Sequence, residues 1–118
     1  MNLKLSTHQS DGITIVDCNG RIVFGEEAAA LREMVKELIP QSPRIVLNLK
    51  DVSYIDSGGL GMLVGLYTSA HTATGDVKLA NLTQRVNQLL QVTKLLTVFE
   101  VHDTVESAVK SFANAAKA

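Results

Sequence analysis

The stretch that most constrains this chain is RIVLNL, Arg44 to Leu49, followed a few residues later by DSGGLGMLVGLY, Asp56 to Tyr67. A near-continuous apolar run of strand length is what a central strand covered on both faces requires. The apolar, helix-length segment after it makes the whole stretch read as strand, turn, helix, the unit of α/β domains. The N-terminal part reads differently. Leu3 and Leu5 alternate with polar neighbours, Ser10-Asp11-Gly12 supplies a turn, and Ile13 to Val16 is a β-branched run. Asn19-Gly20 is a hairpin dipeptide, so RIVFG, closed by Gly25, reads as a third short strand. The beginning is therefore an antiparallel meander.

Helical spacing appears next in EEAAALREMVKELIP, where Ala28, Leu31, Val35 and Leu38 recur on one face and Pro40 follows the end. Glu26 and Glu27 stand where a helix N-terminus favours negative charge. The second helix is expected from about Gly59 to Thr74, with Leu60, Leu63, Val64 and Tyr67 inward and Gly75 as its stop. DVKLANL reads as a strand, and TQRVNQLLQVT as a short helix capped by Thr83, with Val86, Leu89 and Leu90 inward. VFEV is a brief strand. The terminal segment opens with Asp103 and Glu106 at capping-box spacing, and Val105, Ala108, Val109 and Phe112 line one face. The expected order is β-β-β-α-β-α-β-α-β-α: one α/β domain over residues 1–118, with a mixed sheet and about four helices.

Composition excludes several functions. Eleven Lys and Arg against twelve Asp and Glu give a net charge of -1, without the basic footprint of a nucleic-acid binder. Aromatic residues are 4% and Trp is absent, too few for a base-stacking platform. The lone cysteine, Cys18, cannot form an intramolecular disulfide and reads as a buried structural thiol, which suits a reducing, cytoplasmic setting. The N-terminus lacks the apolar core of a signal peptide, and no stretch approaches the roughly 18 apolar residues of a membrane span.

The chemistry concentrates in Asp56-Ser57-Gly58-Gly59, at the carboxyl end of a strand and the start of a helix, where α/β folds place ligands. Ser57 is open to four readings: helix N-cap, nucleophile, phosphate cradle or modification target. The cap explains the serine but not the glycines. Gly61 and Gly65 fall one turn apart inside the helix, each at a cost of about 1 kcal/mol relative to Ala. Either they pack tightly on the domain's own sheet, or they leave a strip where another backbone can approach Ser57. A nucleophile elbow would need Gly at Ile55, and a triad would need a base. His8 belongs to the first strand or its turn, and His71 lies on the order of 20 Å along the helix from Ser57. His102 could approach only if the last strand ended nearby. There is no phosphate-loop motif, and the histidines and cysteine lack metal-ligand spacing. Asp51 reads as a turn residue. No catalytic residue, metal or cofactor is expected.

The stretch NLKDVSYIDSGGLGMLVGLY resembles the signature of STAS domains, in particular the bacterial anti-sigma factor antagonists. Their pattern is an apolar strand, D-V-x-x-[ILM]-D-S-[SGA]-G-[LI], and an apolar glycine-bearing helix. GRIVFG lies where that family has its third strand and the loop before its first helix. The resemblance implies a regulatory switch and not an enzyme. The serine at the position of Ser57 would be phosphorylated by an anti-sigma factor partner, a serine kinase with a histidine-kinase-like ATPase fold. The unphosphorylated form would bind that partner, phosphorylation would break the complex, and a phosphatase would restore it. The implied partner-binding residues are Asp56, Ser57, Gly58, Gly59, Gly61, Met62 and Gly65, with Arg21 and Phe24 from the preceding loop. Two departures stand out: Ser57 is followed by Gly58 where many antagonists have a second Ser, and Arg21 to Phe24 replace a commonly acidic segment. The alternative within the resemblance is a non-catalytic STAS subunit of a larger assembly, such as a lipid-transport ABC complex.

Overall fold

The computed structural model describes residues 2–117, with side-chain surroundings through Ala113, so Ala118 of the expected terminal helix lies outside the described residues. Strands β1 (Leu3–Ser10), β2 (Ile13–Ile22), β3 (Arg44–Ile55), β4 (Asp76–Ala80) and β5 (Val101–His102) form one sheet in sequence order. β1 and β2 pair antiparallel, and every later pair is parallel. Helices α1 (Glu26–Leu38), α2 (Ser57–Thr72), α3 (Gln84–Val92) and α4 (Val105–Lys117) complete the α/β fold.

Alternation along the strands sorts the core into two layers. Val16, Ile45, Leu47, Leu49, Val77 and Leu79 pack with Leu31 and Val35 of α1, Leu63 and Leu66 of α2, and Val86 and Leu90 of α3. Ile13, Ile15, Val46 and Ala80 meet Ala108, Val109 and Phe112 of α4 on the opposite face. Ile45, Val46 and Leu47 are each wholly buried, which explains why this strand carries an apolar run instead of an alternating pattern. Cys18 is buried in the first layer.

Lys78 is the charged member of the α4 side and is 2% exposed. Its Nζ donates to Ser111 Oγ at 2.6 Å, pairs with Glu100 Oε2 at 2.8 Å and lies 4.2 Å from the Phe112 ring centroid. His102 Nε2 donates to the same Glu100 oxygen at 2.6 Å, and its Nδ1 meets Ser107 Oγ at 2.8 Å. The buried ammonium is thus fully partnered, and these bonds tie α4 to the β4–β5 edge.

Several expectations change. The third strand is absent as a separate element: RIVFG up to Ile22 continues β2, straight through Asn19-Gly20. Gly20 has φ 130, and a Cβ there would collide with the Asn2 carbonyl oxygen, which accepts from the Arg21 N–H at 2.9 Å. The glycine serves an in-strand irregularity, with register shifts on both sides, not a hairpin. Asp51 is not a turn residue; it sits within β3, opposite Asn19. Of VFEV only Val101 enters the sheet, where it forms β5 with the following His102, and a 3-10 turn over Leu95–Thr97 precedes it. At α4 the capping oxygen comes from Thr104, whose Oγ1 accepts from the Ser107 N–H at 3.0 Å, and not from Asp103 with Glu106. Thr83 caps α3 as expected, accepting from the Val86 N–H.

Candidate functional site

β2 and β3 end side by side, with Arg21 opposite Tyr54 and Ile22 opposite Ile55. The chain leaving β3 therefore meets the chain leaving β2 at the point where α2 begins. Asp56 makes that junction. Its extended backbone, φ -93 and ψ 179, places it as the N-cap of α2, and Oδ1 accepts from the Gly59 N–H at 2.8 Å. The same carboxylate receives the Phe24 N–H at 3.1 Å and 3.0 Å on its two oxygens. These bonds, the Gly59 one foremost, hold the Asp56 carboxyl below the usual carboxylate range. A charged acceptor at the positive end of a helix is the favourable sign of charge.

α2 thus starts at Ser57, two residues earlier than the expected Gly59, and the cap is Asp56 and not Ser57. Ser57 is the first helical residue and is exposed, and its hydroxyl takes no hydrogen bond from the described residues. A residue at this position projects outward while the helix N-terminal amides lie beneath it.

The glycines divide into two kinds. A Cβ on Gly58 would sit 2.6 Å from Phe24 Cβ, and one on Gly59 would strike the Ile22 carbonyl oxygen, so both are required by close packing of the loop on the helix. Gly61 and Gly65 are exposed with open space around them. Packing on the domain's own sheet therefore does not explain them. The inward face of α2 is Leu60, Leu63, Leu66 and Ala70, with Val64 and Tyr67 only half-buried. Past its end, Thr74 adopts the left-handed conformation at φ 63, and the Gly75 N–H closes on the Ala70 carbonyl at 2.7 Å.

Phe24 is 81% exposed although its backbone is fixed by Asp56. It stands at one side of a shallow groove of about 300 Å³ between α1 and α2, lined by Gly25, Ala28, Ala29, Arg32, Gly58 and Met62. Phe24, Gly58 and Met62 are brought together there. Arg21 is not: it faces a separate recess with Asn2, Lys4 and Asn19 on the β1 side. The α1 contribution escaped the sequence reading, which treated Ala28 as a core-facing position only. The run Ala28-Ala29-Ala30 beside Arg32 is its one sequence signal.

No histidine serves Ser57. His8 pairs with Asp17 at 2.9 Å on β1 and β2, and His71 pairs with Asp76 at 2.9 Å at the far end of α2. His102 lies on β5, level with Ala80 and engaged by Glu100 and Ser107. Among the described residues there is no group of three or more His, Cys, Asp or Glu able to hold a metal ion, and no helix is long and apolar enough to cross a membrane.

Fold and site together define an α/β module that presents a free serine hydroxyl at a helix N-terminus beside an apolar groove. The STAS domain family matches residues 4–108, and the chain belongs to that family. It is 33% identical over 111 residues to the anti-sigma-B factor antagonist of Bacillus subtilis (strain 168), covering 93% of this chain and all of that protein. It is 27% identical to the anti-sigma F factor antagonist of Paenibacillus polymyxa, covering 92% and 93% of the two chains. Among solved structures, a Thermotoga maritima protein described as a candidate anti-sigma factor antagonist superposes with a TM-score of 0.84, at 26% identity over 91% and 92% of the chains. The fold is also that of the phosphorylated Bacillus SpoIIAA, with a TM-score of 0.71 at 18% identity over 92% and 99% of the chains.

Proposed function

We propose that this protein is an anti-sigma factor antagonist whose binding to an anti-sigma factor is switched off by phosphorylation of Ser57. The observation that carries this is the division of labour at the start of α2. Asp56 supplies the cap, which leaves the Ser57 hydroxyl exposed and unused by the fold. Gly61 and Gly65 keep the neighbouring helix surface bare.

A phosphate on Ser57 adds about -1.5 to -2 charges. The α2 N-terminus offsets part of that charge through its unpaired amides, so the domain stays folded. A docked protein surface has no such compensation, and apolar or acidic groups facing Ser57 are expelled. The domain acts as substrate and binding module for a serine kinase of the anti-sigma type, and a phosphatase resets it.

The test pairs the chain with an anti-sigma kinase of the same organism and ATP. Intact-mass spectrometry should detect one added phosphate in the wild type and none in Ser57→Ala. Ser57→Asp should bind the kinase at least tenfold more weakly than wild type, corresponding to about 1.4 kcal/mol. Equal affinity of wild type and Ser57→Asp would remove the charge-switch account.

A further inference from the structure

Anti-sigma partners could dock on this site through many kinds of contact, and the groove beside Ser57 narrows the choice. The groove is lined by buried Ala28 and exposed Ala29 of α1, by Gly58 and Met62 of α2, and by Phe24, which packs against Gly58, with Gly25. Arg32 is the one charged residue lining it. The Phe24 N–H is held by both Asp56 oxygens, which fixes the backbone that carries the 81% exposed ring beside the groove.

We infer that this groove seats an aliphatic side chain of the anti-sigma partner, with a carboxylate of the same partner segment on Arg32. The inference rests on the proposed function, since the partner is the one that phosphorylation at Ser57 releases. Three observations fix the occupant's chemistry. The lining is mostly apolar and about the size of one or two aliphatic side chains, and Arg32 is its one polar side chain, so a polar side chain of the partner buried there would be poorly compensated. Arg32 presents a planar fork of donors, the geometry that suits a carboxylate. The groove is continuous with the switch through Gly58, the residue next to Ser57. A partner carboxylate in this position is repelled by a phosphate on Ser57, whereas a partner cation would be attracted by it. An acidic partner segment is thus the sign of charge that makes phosphorylation a release signal.

The experiment uses the full chain and the anti-sigma kinase selected by its ability to phosphorylate Ser57. Ala29→Leu fills the groove from an exposed helical position and keeps a good helix former. Arg32→Glu reverses the rim charge. Lys110→Glu, exposed on α4 across the sheet, makes the same charge change away from the groove. Thermal unfolding establishes that each variant is folded, and calorimetry reads the affinity. Ala29→Leu and Arg32→Glu should each bind at least tenfold more weakly, and Lys110→Glu should bind within about twofold of wild type. Wild-type affinity in Ala29→Leu overturns the aliphatic anchor, and wild-type affinity in Arg32→Glu overturns the carboxylate. A wild-type chain that no anti-sigma kinase binds or phosphorylates brings down the proposed function itself, and the groove assignment with it.

Discussion

Asp56→Ala is the sharpest test of how the site is held together. The substitution deletes the acceptor for two amides 35 residues apart in sequence, Gly59 in α2 and Phe24 in the loop before α1. Loss of an N-cap acceptor costs about 1 kcal/mol, within a range of about 0.5–2. The Phe24 amide loses a charged acceptor but stands at the surface, where water replaces it, so about 0.5–1 kcal/mol is added. With the cap at its typical value the sum, about 1.5–2 kcal/mol, corresponds to a fall in Tm of about 5–10 °C for a domain of this size. Asp56→Asn keeps a cap of equal rank and loses only the charge at the helix terminus, about 0.3–1 kcal/mol. Differential scanning calorimetry of the three proteins at neutral pH decides the ranking, wild type above Asn above Ala. The acid dependence adds a second check. Because the folded carboxyl titrates below its ordinary range, its stabilisation is present above the unfolded value and lost as pH falls through the folded one. The gap between wild type and Asp56→Ala should therefore close in acid. An Ala variant that melts within about 1 °C of wild type, given a transition of the expected steepness, would refute the clamp.

Three further outcomes are expected. Gly59→Ala should lose at least about 2 kcal/mol by driving a methyl into the Ile22 carbonyl. Gly61→Ala and Gly65→Ala, with open space around them, should each gain up to about 1 kcal/mol; urea unfolding separates the two classes, and a stabilised Gly59→Ala would contradict the packing. At Glu100, burial alone would raise the carboxyl, but hydrogen bonds from His102, Lys78 and Ser111 and the Lys78 charge outweigh it and bring it from 4.5 to about 2. Its stabilising effect is therefore present above about 4.5 and lost towards about 2. Glu100→Gln should flatten the pH dependence of the urea midpoint across that window, and an unchanged slope would count against it. Burial, helped by the charge of Asp17, pushes the Cys18 thiol up to about 12, so a thiol reagent at neutral pH should label it only as fast as the protein opens. Rapid labelling of the native protein would contradict this.

Patterning over short range determined most of the architecture. The buried run at Ile45–Leu47, the helical stripe Ala28–Leu31–Val35 and the Thr83 cap are each set by residues within a turn or two of one another, and each stands where the sequence puts it. The DSGG motif likewise marked the start of α2. What the sequence could not decide was which of several adequate local signals prevails. Asn19-Gly20 has the chemistry of a turn, yet the Asn2 carbonyl and the β3 ladder hold it in a strand. Asp56 and Ser57 are both good caps, and the choice falls to Asp56, whose carboxylate also takes the Phe24 amide, 32 residues away. That second bond exists only because β2 and β3 end side by side. The same meeting of distant segments sets Phe24 over Gly58 and Met62 opposite Ala29, so a groove that has no motif in the sequence is made by tertiary structure alone.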